Sequence, residues 1–260
     1  MTQLEKDLLN SAFFQSVKNG RMEDVKKYLA DGAAINAEDS KGNNALILAI
    51  INDDQEMAAF LIASGINKDH QNHEGDTALL VAIYWRRMDV VQMLLEAGAN
   101  PDIRGGNGYA PMYHAVQDLS LLDSLLKASA NINIRDSDGR TPLMRAAELG
   151  KEEALNALLK AGADMTLRDL QGNNVLLRFV VSHSFWPPEH DRVLRILVEA
   201  GADIYDEDNK GLTVADHAAA RGLKDVEKYL KEYAMEKELS VFKKGLSHPI
   251  KATRPFRFKP

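Results

Sequence analysis

Apolar residues in this chain gather in short runs that return at a nearly fixed distance. One run, Pro142-Leu143-Met144-Arg145-Ala146-Ala147, is followed by a break at Gly150 and then by Ala154-Leu155-Asn156-Ala157-Leu158-Leu159. Apolar positions spaced three and four apart over so few residues predict two short helices joined by a turn. Gly162 follows as a left-handed C-cap. Thr77 and Thr141 precede their runs, where a hydroxyl can cap the first turn. Small residues at Ala82, Ala115, Ala146 and Ala218 let neighbouring helices approach closely. The same unit recurs along the chain. A glycine returns at Gly42, Gly75, Gly108, Gly139, Gly172 and Gly211, in steps of 33, 33, 31, 33 and 39. A second series, Gly32-Ala33, Gly65-Ile66, Gly98-Ala99, Ser129-Ala130, Gly162-Ala163 and Gly201-Ala202, closes each unit with the same steps. Two ladders sharing the same irregularities mark a true repeat, and fixed periods of this length are the signature of stacked arrays.

The unit resembles the ankyrin repeat, whose pattern runs G-x-T-P-L-H-x-A-A-x-x-G, then a helix ending L-L, then G-A-D-V-N. The best match is Gly139 to Asp164, and the resemblance covers roughly residues 4 to 233. Asn44-Ala45, Ala110-Pro111 and Asn174-Val175 depart from Thr-Pro, and Phe179 stands where a small alanine is expected. The resemblance implies an all-α ankyrin repeat solenoid of about seven helix-turn-helix repeats, with short hairpin fingers and a concave binding groove. The repeats would span residues 4–39, 40–72, 73–105, 106–136, 137–169, 170–208 and 209–233, with 1–233 as the repeat domain. The first and last units read as caps, because Lys26, Lys27, Lys224, Glu227, Lys228 and Lys231 give their second helices a solvated face.

In the ankyrin family, first-helix positions six, nine and ten residues after the turn glycine line the groove. Here the first row is Leu48, Val81, His114, Arg145, Arg178 and His217. The second is Ile51, Tyr84, Gln117, Glu148, Val181 and Ala220, and the third Asn52, Trp85, Asp118, Leu149, Ser182 and Arg221. The early repeats offer aromatic residues and the later ones imidazole and guanidinium groups, which suits a partner with an acidic segment or a C-terminal carboxylate. Tyr84-Trp85-Arg86-Arg87 has the composition of an interface hot spot. Tyr109 and Tyr113 would extend that patch, although Tyr113 replaces the motif histidine and can equally be structural. Repeat four is two residues short, which would tighten the turn after Asp118. Repeat six is six residues longer than the usual unit, and the excess falls in His183 to His190. Insertions in repeat arrays map to surface loops. Phe185 and Trp186 either project from that loop as contact residues or fold down over Phe179 and Val180.

Composition narrows the possibilities. The chain of 260 residues has no cysteine, which excludes disulfides and thiolate chemistry. The first residues lack a basic stretch followed by an apolar one, and the longest strongly apolar run, Ala45 to Ile51, is too short to span a membrane. A cytoplasmic protein is expected. The net charge of -6 divides into +6 on residues 239–260 and -12 on the rest, which does not suit nucleic acid. His183, Glu189, His190 and Asp191 match no common zinc spacing. Gly105-Gly106-Asn107-Gly108 sits in a finger and not between a strand and a helix, so no phosphate site is expected there. No metal, cofactor or catalytic constellation is expected, and the chain should be monomeric when unbound. Residues 234–260 form a basic C-terminal tail, of which 235–244 could extend the last helix. His248-Pro249 and Arg254-Pro255 preclude a helix throughout 246–260, leaving either a disordered tail or an extended strap. A binding module is the leading expectation, as an inhibitor or immunity-type protein, an adaptor, or an effector that captures a host protein.

Overall fold

The first helix of most repeats starts on the same hydrogen bond, although the residue making it changes. In the computed structural model, Thr77 Oγ1 accepts from the Leu80 N–H at 3.3 Å and Thr141 Oγ1 from the Met144 N–H at 3.3 Å. Where the sequence departs from threonine, Asn44 Oδ1 accepts from Ile47 N–H at 3.0 Å and Asn174 Oδ1 from Leu177 N–H at 2.9 Å. Asparagine caps a helix as well as threonine does, so both departures leave the helix start intact.

The described residues, 2–183 and 188–243, form fourteen helices with two isolated β-bridges in the fingers. The chain divides into two compact units, residues 1–137 and 138–260. The first holds α1 (Gln3–Lys18), α2 (Met22–Ala30), α3 (Ala45–Ile51), α4 (Gln55–Ala63), α5 (Ala78–Tyr84), α6 (Met88–Glu96), α7 (Pro111–Ala115) and α8 (Leu119–Lys127). Within it the first helices stack as α1, α3, α5, α7, and α4, α6, α8 stack alongside. The second holds α9 (Pro142–Glu148), α10 (Glu152–Lys160), α11 (Val175–Ser182), α12 (Pro188–Glu199), α13 (Val214–Ala220) and α14 (Lys224–Lys243). There α9, α11 and α13 stack in order, and α10 packs on α12. The first helices of the inner repeats are largely buried: Ala45, Leu46, Ile47, Ala49 and Ile50 of α3 are 1% exposed or less. None of the described helices is long and apolar enough to cross a membrane.

Four fingers are held by a side-chain oxygen placed three residues before the turn glycine. Asp39 Oδ1 accepts from Lys41 N–H at 2.8 Å and Asn43 N–H at 2.9 Å, and Asn72, Asp169 and Asp208 repeat the arrangement. Burial of Asp39 opposes ionisation, but hydrogen bonds from Asn43 and Lys41, with the charge of Lys41, outweigh it and hold the carboxyl below its ordinary range. At Asp208 burial is likewise outweighed, by the N–H groups of Leu212 and Lys210 and by His217. A carboxyl whose folded pKa is depressed binds fewer protons folded than unfolded. Its stabilisation is complete above the unfolded value, about 3.9, and is lost as pH falls through the folded one. The melting temperature should therefore drop as pH falls below about 4. Asp39→Asn should flatten that drop in the first unit, and calorimetry across the acid range checks it.

The shortening of repeat four lies elsewhere than expected. Helix α7 has five residues, whereas α3, α5, α9 and α13 have seven each. The two missing residues come from the end of the first helix, before Asp118 and not after it. In consequence Asp118 is the N-cap of α8, its Oδ1 accepting from the N–H groups of Ser120 at 3.0 Å and Leu121 at 3.2 Å. Asp118 therefore leaves the groove row, and Gln117 is an exposed turn residue.

Two non-glycine residues, Asp53 (φ 60°) and Arg86 (φ 56°), occupy the inter-helix turn position held elsewhere by Gly20, Gly150 and Gly222. Ser129 (φ 59°) does the same where Gly65, Gly98, Gly162 and Gly201 end the second helices. A side chain in the left-handed region costs roughly 1 kcal/mol. Ser129→Gly should thus stabilise the first unit by about that amount, measured as a shifted denaturant midpoint.

In repeat six Phe179 fills the small-alanine position with no exposure, and the rings of His183 and His190 cover it at 5.1 and 5.3 Å. Phe185 and Trp186 lie outside the described residues, as does the 246–260 segment considered as a strap. Helix α14 runs on to Lys243, so the last helix does extend beyond Tyr233, whose hydroxyl donates to Val198 O at 3.1 Å.

Candidate interaction surface

Along α5 every residue from Ala78 to Ile83 is buried, including Val81 of the expected groove row. Exposure then rises abruptly: Tyr84 is 40% and Trp85 52% exposed. Trp85 is the C-cap of α5, and Arg86 follows in its left-handed turn, exposed. Arg87 Nη1 pairs with Asp53 Oδ2 of the preceding repeat at 2.9 Å, tying two inter-helix turns together.

Tyr84 is exposed yet held. A helical side chain leans toward the N-terminus of its helix, which carries the Tyr84 hydroxyl back to the fingers. There Asn107 Nδ2 donates to it at 3.2 Å, and the Asp76 carboxylate lies nearby, both groups facing Gly105. Its ring meets the His114 imidazole edge-to-face at 5.1 Å. Against burial, which raises it, the Gly106 N–H lowers the pKa of Asp76 in part. The close approach of Asp76 depends on a gap in the finger pattern: Gly105 stands where the other fingers carry Asp39, Asn72, Asp136, Asp169 and Asp208. A Cβ at Gly105 would run into Asp76 Oδ1 and lie 3.3 Å from the Tyr84 hydroxyl. Burial raises the Asp76 pKa, and the charge of Glu74 adds to this. Burial likewise raises that of Tyr84, with the Asp76 charge next. Asp76 and Asn107 were not among the residues expected from sequence. The signal was available in the ladder itself, as the single glycine at a finger position otherwise held by aspartate or asparagine.

Tyr109 is half-buried, stacked on Tyr113 at 5.2 Å, and stays in the cluster with His114. Tyr113 does not belong to the surface. It is 5% exposed, and its hydroxyl accepts from the Asp136 N–H at 3.2 Å, so it serves the core and the next finger.

The guanidinium row of the second unit is turned inward. Glu148, expected on the surface, has a side chain only 8% exposed. It receives Arg178 Nε, with Arg145 Nη1 at 3.6 Å and Arg140 Nη1 at 4.0 Å. Arg178 also reaches the fully buried side chain of Asp169 at 3.4 Å. His217 Nε2 lies 2.9 Å from Asp208 Oδ2, and Arg221 Nη1 donates to Val180 O at 2.6 Å. Glu148 and Arg178 therefore act as internal partners, and Arg145, Arg178 and His217, expected to meet an acidic segment, each face a carboxylate of their own unit. Arg145 remains partly exposed. Among the described residues no group of three histidines, aspartates or glutamates could hold a metal ion.

The family model for ankyrin repeats (3 copies) matches residues 13–105 and 98–169. No curated protein matches the chain. Among solved structures, the chain is similar to the ankyrin repeat domain of Bcl-3, described as a unique member of the IkappaB protein family. That match has a TM-score of 0.72 at 21% identity, over 84% of this chain and 97% of that one. It is also similar to an ankyrin repeat domain from Acinetobacter baumannii AYE, at TM-score 0.67 and 28% identity over 73% and 97% of the two chains. Capped helix pairs, glycine-turned fingers and the matching family model together show that the chain belongs to the ankyrin repeat family.

Proposed function

We propose that this chain binds a partner protein through the face of its first unit centred on Tyr84 and Trp85, acting as an inhibitor or an adaptor. Ankyrin repeats are protein-interaction modules, and the observation that carries the reading is the state of Tyr84. It is an aromatic ring 40% exposed whose hydroxyl and edge are nonetheless fixed by Asn107 and His114. Exposed aromatics that are already ordered lose little freedom on binding, which is the usual property of an anchor. Trp85, Tyr109, His114 and the exposed Arg86 complete the face, and Arg87 supports it from the adjoining turn. The test is affinity purification with quantitative mass spectrometry, comparing the native chain with the Tyr84→Ala/Trp85→Ala variant. A partner enriched by the first and lost from the second supports the reading. Equal recovery by both removes the face from consideration.

A further inference from the structure

We infer that Arg86, in the inter-helix turn after α5, meets a carboxylate of the partner protein, so that the segment docking beside Trp85 is acidic. This rests on the reading of the Tyr84 and Trp85 face just given and supplies the charge of what docks there. Arg86 lies in the left-handed region at φ 56°, at the turn position where Gly20, Gly150 and Gly222 stand in other repeats. The turn gains nothing from its side chain. The Arg86 N–H donates to Ile83 O at 3.1 Å and the Arg87 N–H to Ala82 O at 2.9 Å. Glycine would make the first of these bonds equally well, without the crowding of a Cβ. The Arg86 side chain is exposed, and among the described residues it takes part in no ion pair or hydrogen bond. The other two non-glycine residues in this conformation differ. Aspartate tolerates the left-handed region, and the Asp53 carboxylate pairs with Arg87. Ser129 ends a second helix and carries no charge. A strained position whose side chain serves no internal contact points to a contact outside the fold.

The carboxylates around the turn are otherwise engaged. Asp53 is paired with Arg87, Asp54 Oδ1 accepts from the Met57 N–H at 2.9 Å, and Asp118 caps α8. Asp89, three residues on, is exposed and forms no ion pair with Arg86. Glu74 and Asp76 precede α5, whereas Arg86 follows it. A helix of seven residues is about 10 Å long, more than the screening length of about 8 Å in physiological salt. The finger carboxylates therefore leave the charge of the turn largely uncompensated. A guanidinium offers a planar fork that a carboxylate can fill with two hydrogen bonds, and the adjoining exposed indole of Trp85 would keep water from one side of such a pair. The acidic segment expected from the later repeats thus belongs to the first unit, since Arg145, Arg178 and His217 already face carboxylates of their own.

The probe is a phage-displayed library of random linear peptides, selected on the full-length chain. Selected peptides should be enriched in aspartate or glutamate and should bind the Tyr84→Ala/Trp85→Ala variant weakly. A selected peptide and its counterpart with the acid replaced by the matching amide are then titrated against the native chain, Arg86→Gln and Arg86→Gly. The native chain should prefer the acidic peptide roughly tenfold, the effect of one hydrogen bond to a charged group. Both variants should lose that preference while binding the amide peptide as the native chain does. Arg86→Gly should at the same time raise the denaturant midpoint, because the strain is relieved, and Arg86→Gln should leave it unchanged. Affinity and stability moving in opposite directions mark a side chain retained for binding, whereas a structural role would lower both. A selection that yields no acidic peptides overturns the inference. So does an acid preference that survives Arg86→Gln, or a lowered midpoint in Arg86→Gly. Its failure is separable from failure of the surface reading. If the peptides lose the aromatic variant but bind Arg86→Gln unchanged, the face stands and the acidic contact is wrong. If they bind the aromatic variant as they bind the native chain, the face itself is wrong.

Discussion

Replacing Arg178 with alanine is expected to destabilise the second unit by about 3 kcal/mol, as removal of one member of a buried ion pair does. The side chain bridges α11 to Glu148 at the end of α9 and to Asp169 in the finger, and both carboxylates are 8% exposed or less. Without Arg178, Glu148 keeps only the longer contacts to Arg145 and Arg140, and Asp169 keeps the N–H groups of Gln171 and Asn173. Two buried charges would then be incompletely compensated. The figure sits at the lower end of what breaking a buried pair costs, because Arg178 is itself 20% exposed and some compensation remains. For a unit of this size that corresponds to a melting temperature lower by roughly 10 °C. Arg178→Lys should recover only part of the loss, since one ammonium cannot serve both carboxylates as a guanidinium does. Arg145→Ala, which removes a partly exposed group 3.6 Å from Glu148, should change stability by less than about 0.5 kcal/mol. Equal effects of the Arg145 and Arg178 changes would contradict the inward-turned network.

The second large effect concerns binding. Tyr84→Ala with Trp85→Ala should weaken the partner complex at least roughly tenfold, because truncating a central aromatic anchor costs about 2 kcal/mol or more. The stability change should be modest. Trp85 lies beyond the last turn of α5 and is half exposed, so its removal exposes little core. Tyr84 gives up one ring contact and its hydroxyl bond, about 1 kcal/mol in sum. Isothermal titration against the captured partner and thermal melts of the free variants separate the two quantities. A large fall in melting temperature with little loss of affinity would mean that the rings serve the core.

How far the chain could be read without coordinates depended on whether the relevant partners were near in sequence. Helix starts and turn glycines are local, and the ladder from Gly42 to Gly211 located them. Even the substitutions Asn44 and Asn174 are silent, because the cap requires only a short side-chain oxygen. A step of 31 reveals that two residues are missing from repeat four but not where they are missing. Counting forward from Gly108 therefore put Asp118 on the surface, although it caps α8. Long-range pairing was harder. Arg178 and Glu148 are thirty residues apart, and a row of cations read along the repeats gives no sign of the carboxylates folded against it. Tyr113 was ambiguous for the same reason, since its partner is the backbone of Asp136 in the next finger. The anchoring of Tyr84 by Asn107, with Asp76 beside it, spans two fingers. Only the exceptional Gly105 hinted at it.

The central claim is that a protein partner covers the Tyr84 and Trp85 face of the first unit. Hydrogen exchange of the full-length chain with and without its captured partner tests this most directly. The account predicts added protection in residues 84–87 and in the finger and turn residues 105–109, with little change in α10 and α12. Protection confined to residues 138–243, with 84–87 and 105–109 exchanging as in the free chain, would contradict it.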